Sequence, residues 1–126
     1  MPEIINLYEA PHARSRVRAT GEALGWVAEL SSQLGLLRMH HERLPSGCRT
    51  APPHRHTERE EAFVVLSGHP TAELGTARRV LKPGDVVMCP AGEHETHTVV
   101  NESDEEVTLL VVSASTGMDQ VEFTAE

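Results

Sequence analysis

The stretch Pro52-Pro53-His54-Arg55-His56-Thr57-Glu58-Arg59-Glu60-Glu61-Ala62-Phe63-Val64-Val65-Leu66-Ser67-Gly68 decides how this chain reads. Ala62–Leu66 is a β-branched and aromatic run ended by Ser67-Gly68, the mark of a strand closed by a turn. His54-Arg55-His56 enters behind two prolines. In an extended chain alternate side chains share one face, so both imidazoles project the same way. That is the geometry a metal needs from two ligands on one strand. Glu61 opens the following strand after a four-residue connection. A neighbouring antiparallel strand would place its carboxylate beside the imidazoles, with Glu60 as the adjacent competitor.

Downstream, Thr71–Leu74 and Arg78–Leu81 flank Gly75, which suggests a tight hairpin. Lys82-Pro83-Gly84-Asp85 is a turn, with Pro83 presetting it. Val86–Cys89 is an apolar run closed by Pro90-Ala91-Gly92. Thr96–Val100 forms a further strand. It would bring His97 from across the barrel to close the site, with His94 and Glu95 as competitors. Asn101–Glu106 is a polar turn, and Val107–Ser113 is the last strong strand. Upstream, Trp26–Leu30 is strand-compatible, and Leu36–Leu44 is a longer strand ended by Pro45-Ser46-Gly47. Ile4, Ile5 and Leu7 suggest a short strand. Pro11–Gly25 reads as an arm or loop, because Gly21 and Gly25 oppose a helix through Arg14–Leu24.

Together these give about eight or nine short strands at intervals of roughly 8–12 residues, the spacing of an all-β sandwich or barrel. A chain of 126 residues fits one domain. We divide it into an N-terminal arm (1–25), a β-barrel domain (26–115) and a C-terminal tail or edge segment (116–126).

With 11 Lys and Arg against 19 Asp and Glu, the formal net charge is −8. This argues against a nucleic-acid partner, which needs a basic surface. Arg14, Arg16 and Arg18 form a short stretch without interleaved aromatics. Aromatics make up only 3 %, so Val, Leu, Ala and Met must fill the core. Cys48 and Cys89 form no C-x-x-C pair and read as small buried residues, although one disulfide is arithmetically available. No signal peptide or membrane span is visible, so the simplest reading is a cytoplasmic protein with reduced thiols.

Eight histidines is a high count for this length. His40 and His41 lie beside Glu42 on a probable strand. Leu37 and Met39 share parity with His41, whereas Leu36 and Leu44 share it with His40, so alternation does not decide which faces inward. One of the two is a candidate pocket acid–base group, since an imidazole near pKa 6.5 is easily tuned. The alternative is a surface histidine. His12 and His69 read as surface residues, and Tyr8, Trp26, Phe63 and Phe123 as packing.

Two runs carry a family resemblance. Gly47-x6-His54-x-His56-x4-Glu61-x6-Gly68 resembles the first motif of the cupin superfamily, G-x5-H-x-H-x3,4-E-x6-G, with a first spacer one residue longer. Gly84-x5-Pro90-x-Gly92-x4-His97-x3-Asn101 resembles the second, G-x5-P-x-G-x2-H-x3-N, with two extra residues after Gly92. Glu95 stands where the histidine is usual, while counting back from Asn101 selects His97. Small single-domain bacterial cupins resemble this longer form, including the turn Asn101-Glu102-Ser103-Asp104-Glu105.

The resemblance implies an all-β, RmlC-like, cupin-type jelly-roll β-barrel (a double-stranded β-helix). It implies His54, His56, Glu61 and His97 as ligands of one divalent metal, Fe, Mn, Ni or Zn. It implies a small metal-dependent enzyme, of oxygenase or isomerase type, acting on a small chelating oxygenated metabolite. A non-catalytic binding or sensor cupin, or a structural metal site in an assembly protein, are the alternatives. The family is commonly dimeric, so a homodimer is expected, with Ile4–Leu7 covering a sheet edge. Gly68 and Gly84 are expected at positive φ.

Overall fold

Strand formation follows the turn residues closely. A computed structural model describes residues 2–15, 24–115 and 118–123. Among them are eleven strands: β1 Ala13–Arg14, β2 Trp26–Glu29, β3 Leu37–Leu44, β4 His54–His56, β5 Glu60–Ser67, β6 Thr71–Leu74, β7 Ala77–Val80, β8 Val86–Cys89, β9 His97–Val100, β10 Val107–Ala114 and β11 Val121–Phe123. No described residue is helical, so among the described residues no helix is long and apolar enough to cross a membrane. Residues 16–23, which include most of the weighed Arg14–Leu24 segment, lie outside the described residues.

The strands form two antiparallel sheets, one of six strands ordered β1-β2-β3-β10-β5-β8 and one of five ordered β11-β4-β9-β6-β7. From β3 to β11 the chain passes repeatedly from one sheet to the other, with only the β6–β7 hairpin staying in place. This is an all-β jelly roll, the arrangement that the resemblance implied. The sheets face each other without closing edge to edge, and single bridges from Arg49 to Leu24 and Val100 lie outside the named strands.

Alternation decides what lies between the sheets. Along β10, Val107, Leu109, Val111 and Ser113 are buried, while Thr108, Leu110, Val112 and Ala114 are only partly covered. Val107, Leu109 and Val111 join Leu44, Phe63, Val65, Val87 and Val99 in one core cluster. Each such side chain contributes about 1.5–3 kcal/mol by leaving water.

Three turns show how the strands are joined. Gly75 takes φ 61° in the two-residue connection between β6 and β7, where Leu74 pairs Ala77. Gly68 takes φ 86°, and a Cβ there would lie 2.7 Å from Val107 Cγ2. The turn after β9 is built by Asn101. Its amide donates to the Leu44 carbonyl at 2.8 Å and the Glu105 carbonyl at 2.7 Å. Its oxygen accepts from the Ser103 amide and hydroxyl.

The N-terminus departs from expectation. Ile4–Leu7 is not a strand, and Ile4 is 99 % exposed. The Asn6 side chain accepts from the Tyr8 amide, and its carbonyl accepts from Glu9 and Ala10, so local hydrogen bonding bends the chain instead. The edge is occupied by β1, whose Ala13 and Arg14 pair Val27 and Trp26. His12 is not a free surface residue. It is half-buried, with Nδ1 2.8 Å from the Ala10 carbonyl and Nε2 2.8 Å from His41 Nδ1.

Candidate metal centre

β4 buries His54 and His56 and leaves Arg55 between them on the other face. His54 pairs His97 across β4 and β9, so three imidazoles come from two adjacent strands of the five-stranded sheet. Glu61 reaches them from β5 in the facing sheet. This reverses the expected roles. His97 is the strand neighbour, and Glu61 reaches across from the facing sheet, because the chain changes sheets between β4 and β5.

The four side chains offer ligand atoms that all lie within 4.8 Å of one another. Glu61 Oε1 is 2.9 Å from His56 Nε2, 3.0 Å from His97 Nε2 and 3.6 Å from His54 Nε2. Glu60, His94 and Glu95 are exposed and stand outside this cluster.

The outer nitrogens are anchored. His54 Nδ1 lies 2.8 Å from the Pro52 carbonyl, and His56 Nδ1 lies 2.8 Å from Asp119 Oδ2. Both partners only accept, so each Nδ1 carries the proton and donates, leaving the Nε2 lone pair facing inward in the neutral ring. His56 Nε2 is buried and without a hydrogen bond. A lone pair facing a carboxylate oxygen at that distance is stable only with a proton or a cation between them. The donor set and its anchoring therefore fit a divalent metal.

Electrostatics agree. Burial works against ionisation of Glu61, but the facing imidazoles of His54, His97 and His56 outweigh it and hold the carboxyl well below the usual range. Burial disfavours the charged form of His54, yet the nearby Glu61 carboxylate and the hydrogen bond to the Pro52 carbonyl raise its pKa.

The cluster borders a cavity of about 250 Å³ between the sheets, also lined by His40, Glu42, Thr50, Phe63, Val111 and Phe123. His40 and Glu42 therefore face inward on β3, joined Nε2 to Oε2 at 2.7 Å. Burial raises the Glu42 pKa, and the Glu42 carboxylate raises that of His40 against the opposing effect of burial. Glu42 Oε1 is buried without a partner. His41 faces the other way, 1 % exposed, edge-on to Tyr8 and His12. A larger hollow of about 360 Å³ sits at the rim of the six-stranded sheet, between Leu37, Ala62, Met88 and Val112. It shares Glu61 but no imidazole, so the chemistry belongs to the smaller cavity.

Cys48 and Cys89 are buried and unpaired, and burial pushes the Cys89 thiol up to about 12. His69 is exposed. Sequence reasoning assigned no role to Glu42 or Asp119. For Glu42 the signal is its parity with His40. Asp119 lies in a short polar stretch that no motif marks.

The cupin domain family matches residues 40–113, and the chain belongs to that family. A crystal structure of a sugar phosphate isomerase from a cupin superfamily, from Silicibacter pomeroyi, is similar with a TM-score of 0.90 and 22 % identity, over 98 % of this chain and 83 % of that one. A cupin 2 conserved barrel domain protein from Salinispora arenicola is similar with a TM-score of 0.72 and 21 % identity, over 94 % and 92 %. A predicted oxalate decarboxylase from Thermotoga maritima is similar with a TM-score of 0.76 and 21 % identity, over 90 % and 99 %. At these identities the likeness shows the shared fold. No curated protein sequence matches significantly.

Proposed function

We propose that this cupin is a metal-dependent enzyme of isomerase type, acting on a small hydroxy-carbonyl metabolite. Its metal would be held by His54, His56, Glu61 and His97. The supporting observation is the pairing of that cluster with the His40–Glu42 couple in one cavity. A bound divalent ion would supply Lewis-acid polarisation of a chelated carbonyl. Thr50 offers a hydroxyl at the cavity wall, and Phe63, Val111 and Phe123 keep the rest of it apolar. The His40–Glu42 couple holds a proton, and Glu42 Oε1 is free to accept one. A proton taken from the hydroxyl-bearing carbon next to a carbonyl and returned at the carbonyl carbon, with the hydroxyl proton passing from the one oxygen to the other, interconverts a hydroxy-aldehyde and a hydroxy-ketone without net gain or loss of atoms. An oxygenase would have less use for a buried acid–base couple placed beside the metal ligands.

The test is anaerobic incubation with hydroxy-carbonyl compounds in deuterated water, with zinc or manganese added, followed by proton NMR. Isomerisation with solvent deuterium entering the reacting carbon is expected. Glu42→Gln should slow it by about 10²- to 10⁴-fold, the usual contribution of a positioned acid–base group. Turnover that needs ferrous iron and consumes oxygen would instead make the protein an oxygenase. Binding without turnover would make it a sensor.

A further inference from the structure

The segment Met118–Phe123 lies outside both sequence motifs yet meets the metal cluster twice. Asp119 Oδ2 accepts from His56 Nδ1 at 2.8 Å. Asp119 Oδ1 accepts from the amides of Glu58 and Arg59 at 2.9 and 2.8 Å. Those amides belong to the connection that runs from His56 to Glu61, so one carboxylate fixes a ligand and the loop joining two ligands. Thr57 and Gln120 exchange hydrogen bonds beside it. β11 then pairs β4, with Val121 opposite His56 and Phe123 opposite His54. The Phe123 ring stands 5.9 Å from that of His54, and both Val121 and Phe123 line the cavity.

On the metal-centre reading above, we propose that Asp119 is a positioning residue that fixes His56 in its metal-binding tautomer, and that docking of the 118–123 segment and metal binding reinforce each other. A carboxylate accepts only, so it selects the Nδ1–H form of His56 and leaves Nε2 as the lone pair. That Nε2 is the buried atom without a hydrogen bond, facing Glu61. The coupling is reciprocal by thermodynamic necessity. If the docked segment raises metal affinity, metal raises the docking of the segment by the same factor.

Asp119→Asn separates positioning from mere anchoring. Its carbonyl oxygen can still accept from the Glu58 and Arg59 amides. Its NH₂ then faces His56 Nδ1, which must become an acceptor, moving the ring proton to Nε2 and closing that ligand. We expect the metal-free variant to keep its melting temperature while zinc and manganese affinities, read by chelator competition, fall about 10- to 100-fold. Hydrogen exchange on the unaltered protein gives a second readout. Zinc should slow exchange at the amides of Glu58, Arg59 and residues 120–123.

Wild-type affinity in Asp119→Asn, or exchange in that segment unmoved by bound zinc, would overturn the proposal. If the folded wild type binds metal and His97→Ala does not, either result removes only the role of Asp119. If the folded wild type takes up no metal, the metal-centre reading fails and this proposal with it.

Discussion

Replacing Asn101 by alanine tests whether one side chain holds the turn that follows β9, and with it the register of the strand carrying His97. Asn101 is fully buried. It donates to the carbonyl of Leu44, also fully buried, and to that of Glu105. Losing the donor to a buried carbonyl costs about 1–3 kcal/mol, and the bonds to more exposed groups about 0.5–1.5 kcal/mol each at most. Water replaces part of the latter, so the total is about 2–4 kcal/mol. For a domain of this size that lowers the melting temperature by about 8–15 °C. Asn101→Asp sharpens the test. It keeps an acceptor for Ser103 but turns an oxygen toward two carbonyls, so it should cost at least as much as alanine. Urea denaturation and calorimetry on metal-free protein measure both. A loss below about 1 kcal/mol for alanine, or an aspartate variant milder than alanine, would refute the hydrogen-bond argument in favour of simple packing.

Gly68→Ala should cost about 2–4 kcal/mol, because φ 86° is strained for alanine and the new Cβ would meet Val107 Cγ2 at 2.7 Å and the Glu106 carbonyl at 3.0 Å. An unchanged denaturation midpoint would contradict that packing. The metal-free protein should also show a pH window. Glu61, lowered from 4.5, contributes stability present above pH 4.5 and lost as pH falls through its lowered value. His54, raised from 6.5, contributes stability fully present below pH 6.5 and lost as pH rises through its raised value. The cluster therefore stabilises the metal-free fold most between pH 4.5 and 6.5; His54→Ala should abolish the loss above pH 6.5 and reduce, without removing, the loss below pH 4.5. Metal affinity should instead rise with pH, since protons and metal compete for the same nitrogens. Affinity independent of pH would count against imidazole ligation.

The strands were legible where turn residues bracket apolar runs. Thr71–Leu74 and Val86–Cys89 match their expected bounds. The spacings to Gly68 and Asn101 also singled out Glu61 and His97, the residues that join His54 and His56 in space. Which strands face each other across the two sheets was not legible. Alternation tells which residues share a face, but not which sheet a strand joins, so Glu61 and His97 exchanged places relative to expectation. His40 and His41 could not be separated because β3 is apolar on both sides. Leu44 is fully buried in the core, while Met39 lies half-covered on the outer face. Ile4–Leu7 looked like a strand by composition alone, whereas Asn6 turns the chain and β1 occupies the edge. Asp119 was invisible because its role depends on β11 returning to β4, a contact across more than sixty positions of sequence.

The most direct test of the central claim is elemental analysis of protein purified without chelator or added metal, beside a His97→Ala variant. The account predicts about one equivalent of iron, manganese, nickel or zinc in the wild type, and a large loss in the variant with its fold intact. A folded wild type that holds no metal, and takes none up when it is offered, would contradict it.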